Sequence, residues 1–139
     1  MNLFTAIALM SFVAAPVPKD DPVKEAQAAL QGEWKFLSWT KLNRDNPELV
    51  KKGKVVVAGD TLTIKIDDKD NAMTFALDPA TDPPTFDFKG KNGGKDIRGI
   101  YKLDKDKLTI CFGIEGSLRP TDYKPGRDNG VMVLERVKK

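Results

Sequence analysis

The chain has 139 residues, which is enough for one domain with its own hydrophobic core. Its 23 basic and 20 acidic side chains leave a formal net charge of +3, which gives no reason to expect a nucleic acid or an anionic membrane as partner. The chain has no histidine and a single cysteine, Cys111, which excludes histidine-based triads, the usual zinc ligand and an intramolecular disulfide. We therefore expect no catalysis, no cofactor and no metal.

The first 15 residues have the pattern of a secretory signal peptide. An apolar run over residues 3–13 is followed by Ala14 and Ala15, small residues that are typical of a cleavage site. The run is shorter than the ~20 apolar residues of a membrane-spanning helix, so we expect no stable span after processing. The sequence predicts export to the periplasm or the extracellular space, with an uncleaved N-terminal anchor as the alternative.

A linker over residues 16–21, rich in Pro, Lys and Asp, is followed by a short helix. Asp21 suits the N-cap and Pro22 suits the first helical turn. The helix ends before Gly32 and carries four apolar residues on one face: Val23, Ala26, Ala29 and Leu30. We expect this helix to close or flank one end of a domain that covers residues 22–139.

From Gly32 onward, apolar and polar residues alternate in short runs that Gly, Asn, Asp and Pro interrupt. Eight strands are predicted, centred on Trp34/Phe36, Val55–Val57, Leu62/Ile64/Ile66, Met73/Phe75/Leu77, Phe86/Phe88, Ile97/Tyr101/Leu103, Leu108/Ile110/Phe112 and Met132/Leu134. Four connections resemble hairpin turns: Gly59-Asp60, Asp67 to Asn71, Asn92-Gly93-Gly94 and Asp104-Lys105-Asp106. The fold class is therefore all-β, an eight-stranded antiparallel up-and-down barrel, with a sandwich of two sheets as the alternative.

The segment Leu30-Gln31-Gly32-Glu33-Trp34 contains Gly-x-Trp at the entry to the first strand, which resembles the lipocalin signature. In that superfamily an Arg near the end of the last strand lies over the Trp ring, and Arg136 stands at the corresponding place. The resemblance assigns structural roles to Gly32, Trp34 and Arg136, with a cation–π contact between the last two.

Further segments are similar, in order and spacing, to a family of conserved hypothetical proteins expanded in planctomycetes. They are Gly99-Ile100-Tyr101-x-Leu103-Asp104, Leu108-x-Ile110-Cys111-Phe112 and Arg119-Pro120-Thr121. This resemblance covers residues 28–136 and implies a lipocalin-like fold and export. It carries no function.

The inward-facing aromatic residues are the first candidate site. They either line a cavity for one small apolar or amphipathic ligand or simply fill the barrel with their own side chains. The candidates are Phe36, Phe75, Phe86, Phe88, Tyr101 and Phe112. The first alternative predicts an exported binding protein, and the second predicts a protein-interaction module, such as an inhibitor or an envelope-assembly factor, whose partner is unknown.

The long segment from Gly113 to Asn129 is the second candidate. Arg119 and Tyr123 are hydrogen-bond donors suited to a carboxylate or phosphate head group at the barrel mouth. In the alternative, Arg119 bonds backbone carbonyls and pins this loop across the barrel end. Cys111 is expected to be a small buried side chain beneath the N-terminal helix.

Overall fold

A computed structural model of the chain describes residues 21–90 and 94–138. The predicted signal peptide, and the linker except for Asp21, lie outside the described residues. In chain order the elements are α1 (Pro22–Ala29), β1 (Gly32–Lys41), β2 (Arg44–Asp45), α2 (Pro47–Lys52), β3 (Lys54–Ala58), β4 (Thr61–Ile66), β5 (Lys69–Asp78), β6 (Thr85–Phe88), β7 (Gly99–Asp104), β8 (Lys107–Gly113) and β9 (Asn129–Arg136).

Eight of these strands close into an antiparallel barrel. The order around the wall is β1-β3-β4-β5-β6-β7-β8-β9, and β9 pairs back onto β1 from Trp34↔Arg136 to Lys41↔Gly130. The two-residue strand β2 pairs with the end of β1 and adds a short flap. The barrel prediction is confirmed, and the alternative of two separate sheets is wrong because the β1–β9 ladder closes the wall.

The barrel has two ends, which we name by their connections. The floor carries α1, the Gly59-Asp60 turn and the Lys105-Asp106 turn. The mouth carries the β1–β3 connection with α2, the Asp67-Asp68 turn and the loop between β8 and β9, residues 114–128.

Side-chain alternation places the core inside the barrel. On β4, Leu62 and Ile64 are buried and Ile66 is half-buried, whereas Lys65 between them points outward to Asp70 at 3.3 Å. The period of two that the sequence shows is therefore the pleat of a wall with one wet and one dry face.

Helix α1 begins where the sequence predicts. The Asp21 carboxylate accepts a hydrogen bond of 3.1 Å from the Lys24 backbone N–H, and Pro22 lies in the first turn. Leu30 is fully buried and Ala26 packs against the core, but Val23 is 42% exposed. The predicted apolar face of α1 is therefore only partly buried.

Two local boundaries differ from the prediction, and one predicted turn is not described. Ile97 lies outside β7 and forms an isolated bridge with Phe88, because β7 starts at Gly99. The residues from Lys69 to Asn71 belong to β5, so the β4–β5 turn is only Asp67-Asp68. Asn92 and Gly93, which were assigned to a turn, lie outside the described residues.

Helix α2 and strand β2 were not predicted. Asn46 caps α2 by accepting from the Leu49 backbone N–H at 3.1 Å, with Pro47 in the first turn. Leu49 is buried against the barrel, so α2 packs over one side of the mouth.

Candidate functional site

The predicted aromatic residues fill the barrel interior. The Phe86 ring centroid lies 4.7 Å from Phe75, 4.9 Å from Phe88 and 6.0 Å from Tyr101. The Phe88 and Phe112 centroids are 6.3 Å apart. Each of these rings is less than 10% exposed, and Phe86 is fully buried. The rings pack against one another and fill the middle of the barrel. A ligand-binding role for them stays a prediction.

Trp39 extends this chain of rings to the mouth. Its ring lies 5.5 Å from Phe112 and 6.0 Å from Phe36. Strict alternation from Phe36 would turn Ser38 inward and Trp39 outward. The β1–β9 register shifts between Phe36 and Ser38, so that Leu37 bulges out and Trp39 joins the inner face. The sequence signal was a tryptophan three residues after Phe36, at the wrong spacing for a regular strand.

The floor is closed by the pair that the lipocalin resemblance implied. The Arg136 guanidinium carbon lies 4.4 Å from the centroid of the Trp34 ring, which is fully buried. Arg136 also donates hydrogen bonds of 2.7 Å to the carbonyls of Gln31 and Ala29, while the Trp34 indole donates to the Leu30 carbonyl at 3.0 Å. One side chain thus holds the end of α1 over the floor.

Gly32 makes this closure sterically feasible. Its φ is +126°, a backbone conformation that side chains with a Cβ rarely adopt. A Cβ on Gly32 would lie 3.4 Å from an Arg136 guanidinium nitrogen. The structural roles predicted for Gly32, Trp34 and Arg136 therefore have a common geometric basis.

Arg119 lies on the outer wall of the barrel. Its guanidinium bonds both oxygens of Asp87 on β6, and it donates to the Gly99 carbonyl at 2.9 Å. Asp87 in turn accepts from the Gly99 backbone N–H at 3.3 Å. Arg119 therefore has the structural role that the sequence offered as the alternative, since it fixes the 114–128 loop to the barrel. It differs from that alternative in two ways: the loop is fixed along the wall instead of across the barrel end, and Arg119 bonds a carboxylate as well as a backbone carbonyl.

Tyr123 lies on the same outer surface. Its hydroxyl donates to the Tyr101 carbonyl at 2.8 Å, and its ring covers a small outer cluster of Ile100, Cys111 and Val131. Cys111 is fully buried there, and this burial raises the pKa of its thiol to about 11. The expectation that α1 covers Cys111 is wrong, because the 114–128 loop covers it.

A cleft of about 570 Å³ opens at the mouth, and none of the residues that line it was predicted as a site residue. Its lining comprises Trp39, Leu49, Ile64, Ile66, Lys69, Asp70 and Asn71. Lys69 and Asn71 alternate in step with Phe75 and Leu77, the inward-facing residues of β5. Neither side chain has a hydrogen bond or ion pair with another described residue. The mouth therefore combines apolar walls with an unpaired cation and an unpaired amide at the rim.

No family model, curated protein or solved structure matches this chain. The similarity to the planctomycete family therefore stays a prediction. The barrel is a fold shared by many functions, so the function must be argued from the cleft and its chemistry.

Three further observations concern the chemistry of residues 21–90 and 94–138. In these ranges no group of three or more metal-binding side chains is placed to hold an ion. None of the helices there has the length and apolar character needed to cross a bilayer. The carboxylates Glu33, Asp87 and Glu135 each face a cation on the outer wall: Lys54, Arg119 and Lys35, respectively.

Proposed function

We propose that the protein is an exported, non-catalytic binding protein that holds one small apolar or amphipathic molecule in the mouth cleft. The observation that carries this proposal is the cleft itself, where Trp39 and Ile66 are left half-buried beside Lys69. Export rests on the signal-peptide pattern of residues 1–15.

The size and lining of the cleft support a small ligand. Small-molecule sites usually enclose ~300–1,000 Å³ and combine apolar walls with a few polar groups. The mouth cleft, at about 570 Å³, lies within this range. Trp39, Ile64 and Ile66 would cover an alkyl chain or ring, while Lys69 and Asn71 could bond a polar end.

The deep interior is the weaker candidate for the same ligand. A molecule entering between Phe86 and its neighbours would have to separate rings whose centroids lie 4.7 Å and 4.9 Å apart. Displacing packed side chains costs the contacts they make with one another. At the mouth no such displacement is required, because the walls already stand apart.

The filled interior also favours a second candidate function. A barrel packed with its own side chains is a rigid scaffold for protein contacts through its loops, as an inhibitor or an envelope-assembly factor would use it. In that case the mouth cleft would hold no small molecule.

Binding of the neutral fluorophore N-phenyl-1-naphthylamine tests the proposal. We expect a saturable fluorescence increase that decanol reverses, and an Ile66→Gln variant whose affinity falls about tenfold through loss of apolar contact. The matched control is Leu103→Gln, since Leu103 is also an inward, half-buried residue but lies at the floor end of β7. Both variants are compared at a temperature where circular dichroism shows them folded.

The affinities of the wild-type protein and the two variants distinguish three outcomes. Weakening by Ile66→Gln together with unchanged affinity in Leu103→Gln supports the mouth cleft. Equal weakening by both variants, or saturable binding that neither variant alters, contradicts it. An absence of saturable binding to the wild-type protein overturns the proposal and favours the protein-interaction module.

A further inference from the structure

Two exposed leucines lie on separate connections at the mouth. Leu118, in the 114–128 loop, is 85% exposed, and Leu42, at the tip between β1 and β2, is 43% exposed. The Leu42 backbone N–H donates to the Asn129 carbonyl at 3.1 Å. Leu118 and Asn129 line one small cleft of about 280 Å³. Both leucines therefore flank the start of β9.

The backbone of the β1–β2 tip makes Leu42 unusual. Lys41 pairs with Arg44, so the turn consists of Leu42 and Asn43, with φ of +53° and +64°. Hairpin turns with two residues at positive φ favour Asn, Asp and Gly, which adopt this conformation at little cost. Asn43 fits that rule, and Leu42 does not. A branched apolar side chain is held out into water in a conformation it disfavours, which points to a role outside the fold.

Each of the two leucines has cationic neighbours. Lys41 and Arg44 flank the tip, Arg127 lies beside Leu118, and none of the three forms an ion pair with a described residue. Of the neighbouring acids, Asp45 is engaged by the Thr40 hydroxyl at 2.8 Å, whereas Asp128 lies beside Arg127. The segment from residue 40 to 53 carries four basic side chains against two acidic ones.

We infer that the mouth docks reversibly onto an anionic phospholipid surface. Leu42 and Leu118 enter the boundary of the acyl chains, while Lys41, Arg44 and Arg127 contact the head-group phosphates. The overall charge of +3 concealed this surface, because it does not show that residues 40–53 alone have a net charge of +2. The contact is peripheral, and it is independent of whether the mouth cleft holds a ligand.

A lipid partner is favoured because apolar side chains at exposed tips, with unpaired cations beside them, match the layered chemistry of a bilayer. An apolar contact in water needs a complementary apolar surface of defined shape, whereas a bilayer accepts separate leucines on two loops. Attraction to anionic lipid adds to this and is screened by salt.

Partitioning of the purified protein onto vesicles tests the inference. Vesicles of phosphatidylcholine alone are compared with vesicles that also contain phosphatidylglycerol, and bound protein is measured by co-sedimentation at low and high salt. We expect binding to the mixed vesicles at low salt and release at high salt.

Three variants locate the contact. The double variant Leu42→Asn/Leu118→Ser should lower the partition coefficient about tenfold or more through loss of two inserted side chains, and Asn suits the positive φ at position 42. The matched control Val23→Gln removes a comparably exposed apolar side chain at the floor and should change nothing. Lys41→Gln/Arg44→Gln should weaken the preference for phosphatidylglycerol, leaving only the contribution of Arg127.

Several results overturn the inference. One is wild-type protein that stays in the supernatant with mixed vesicles at low salt. Another is a folded double variant that partitions like the wild type, or a Val23→Gln variant that loses as much binding as the double variant. A third is a wild-type protein that does not bind vesicles but forms a dimer by light scattering, where only the leucine double variant disrupts the dimer. That result would assign the two leucines to a contact between two copies of the chain.

Discussion

The Arg119 guanidinium and the Asp87 carboxylate together satisfy both backbone polar groups of Gly99. Asp87 accepts from the Gly99 N–H, Arg119 donates to the Gly99 carbonyl, and the two side chains bond each other. The β6–β7 ladder contains the single pair Thr85↔Ile100, so Gly99 has no strand partner on that side. The 114–128 loop therefore supplies hydrogen bonds at the β6–β7 junction, where the barrel wall has the fewest paired residues.

Replacing Arg119 by Ala should destabilise the fold. The variant loses a charge-assisted pair and leaves the Gly99 carbonyl without its donor, which should lower the free energy of unfolding by about 1–2 kcal/mol, given that the pair is partly exposed. Urea denaturation measures this. Arg127→Ala is the control, since Arg127 bonds no described residue and its loss should cost less than about 0.5 kcal/mol. Equal stability of Arg119→Ala and wild type would contradict a stabilising role for Arg119 at the β6–β7 junction.

Arg136 should stabilise the floor through shape as well as charge. Arg136→Ala loses the stacking on Trp34 and the hydrogen bonds to the carbonyls of Ala29 and Gln31, so we expect a loss of about 1–3 kcal/mol in the free energy of unfolding. Arg136→Lys keeps the charge but cannot bond both carbonyls and cover the ring, so it should recover less than half of that loss. Full recovery by Lys would show that charge alone matters.

The buried Cys111 thiol should make the fold sensitive to alkali. Burial raises the pKa of Cys111 from 9.0 to about 11, so the folded state holds its proton more tightly than the unfolded state. This contribution to stability is complete below pH 9 and is lost as the pH rises towards 11, by about 1 kcal/mol at pH 10. Tyr101 and Tyr123, whose pKa values burial also raises, act in the same direction.

Comparison with Cys111→Ala isolates the thiol. Between pH 8 and pH 10 the free energy of unfolding of this variant should fall by about 1 kcal/mol less than that of the wild type. Parallel pH profiles for the two proteins would contradict a raised thiol pKa.

The aromatic interior should respond strongly to a deletion at its centre. Phe86→Ala removes the ring that Phe75, Phe88 and Tyr101 contact, so we expect a loss of about 3–5 kcal/mol. Thermal unfolding followed by circular dichroism measures it, with Phe86→Leu as the conservative control. A loss below about 1 kcal/mol would mean that the interior is loosely packed.

The local patterns of the sequence predicted the wall and floor well. Alternation located eight strands because most of them have one solvent-facing side. The lipocalin resemblance indicated Gly32, Trp34 and Arg136, which lie together because β1 and β9 pair at the floor. The Asn46-Pro47 cap of α2 was visible in the sequence but was overlooked.

The site could not be predicted in the same way. Trp39 faces inward only because of a bulge at Leu37, and the mouth cleft depends on how α2 packs over β1. Arg119 meets Asp87 across 32 positions of the chain, at a seam whose weakness depends on the β6–β7 pairing. Contacts of this kind are decided by the closed barrel and leave no local pattern.

The most direct test of the account uses the two tryptophans of the chain as reporters of the two ends of the barrel. In a ¹⁵N-labelled sample each indole N–H gives one NMR signal, and Trp39→Phe assigns them by removing one. On titration with N-phenyl-1-naphthylamine, whose rings shift nearby signals, we predict that the Trp39 signal moves to saturation. The Trp34 signal should stay in place because Arg136 covers its ring and Leu30 accepts its N–H. A Trp34 shift as large as that of Trp39, or no shift of either signal at a saturating probe concentration, would contradict binding in the mouth cleft.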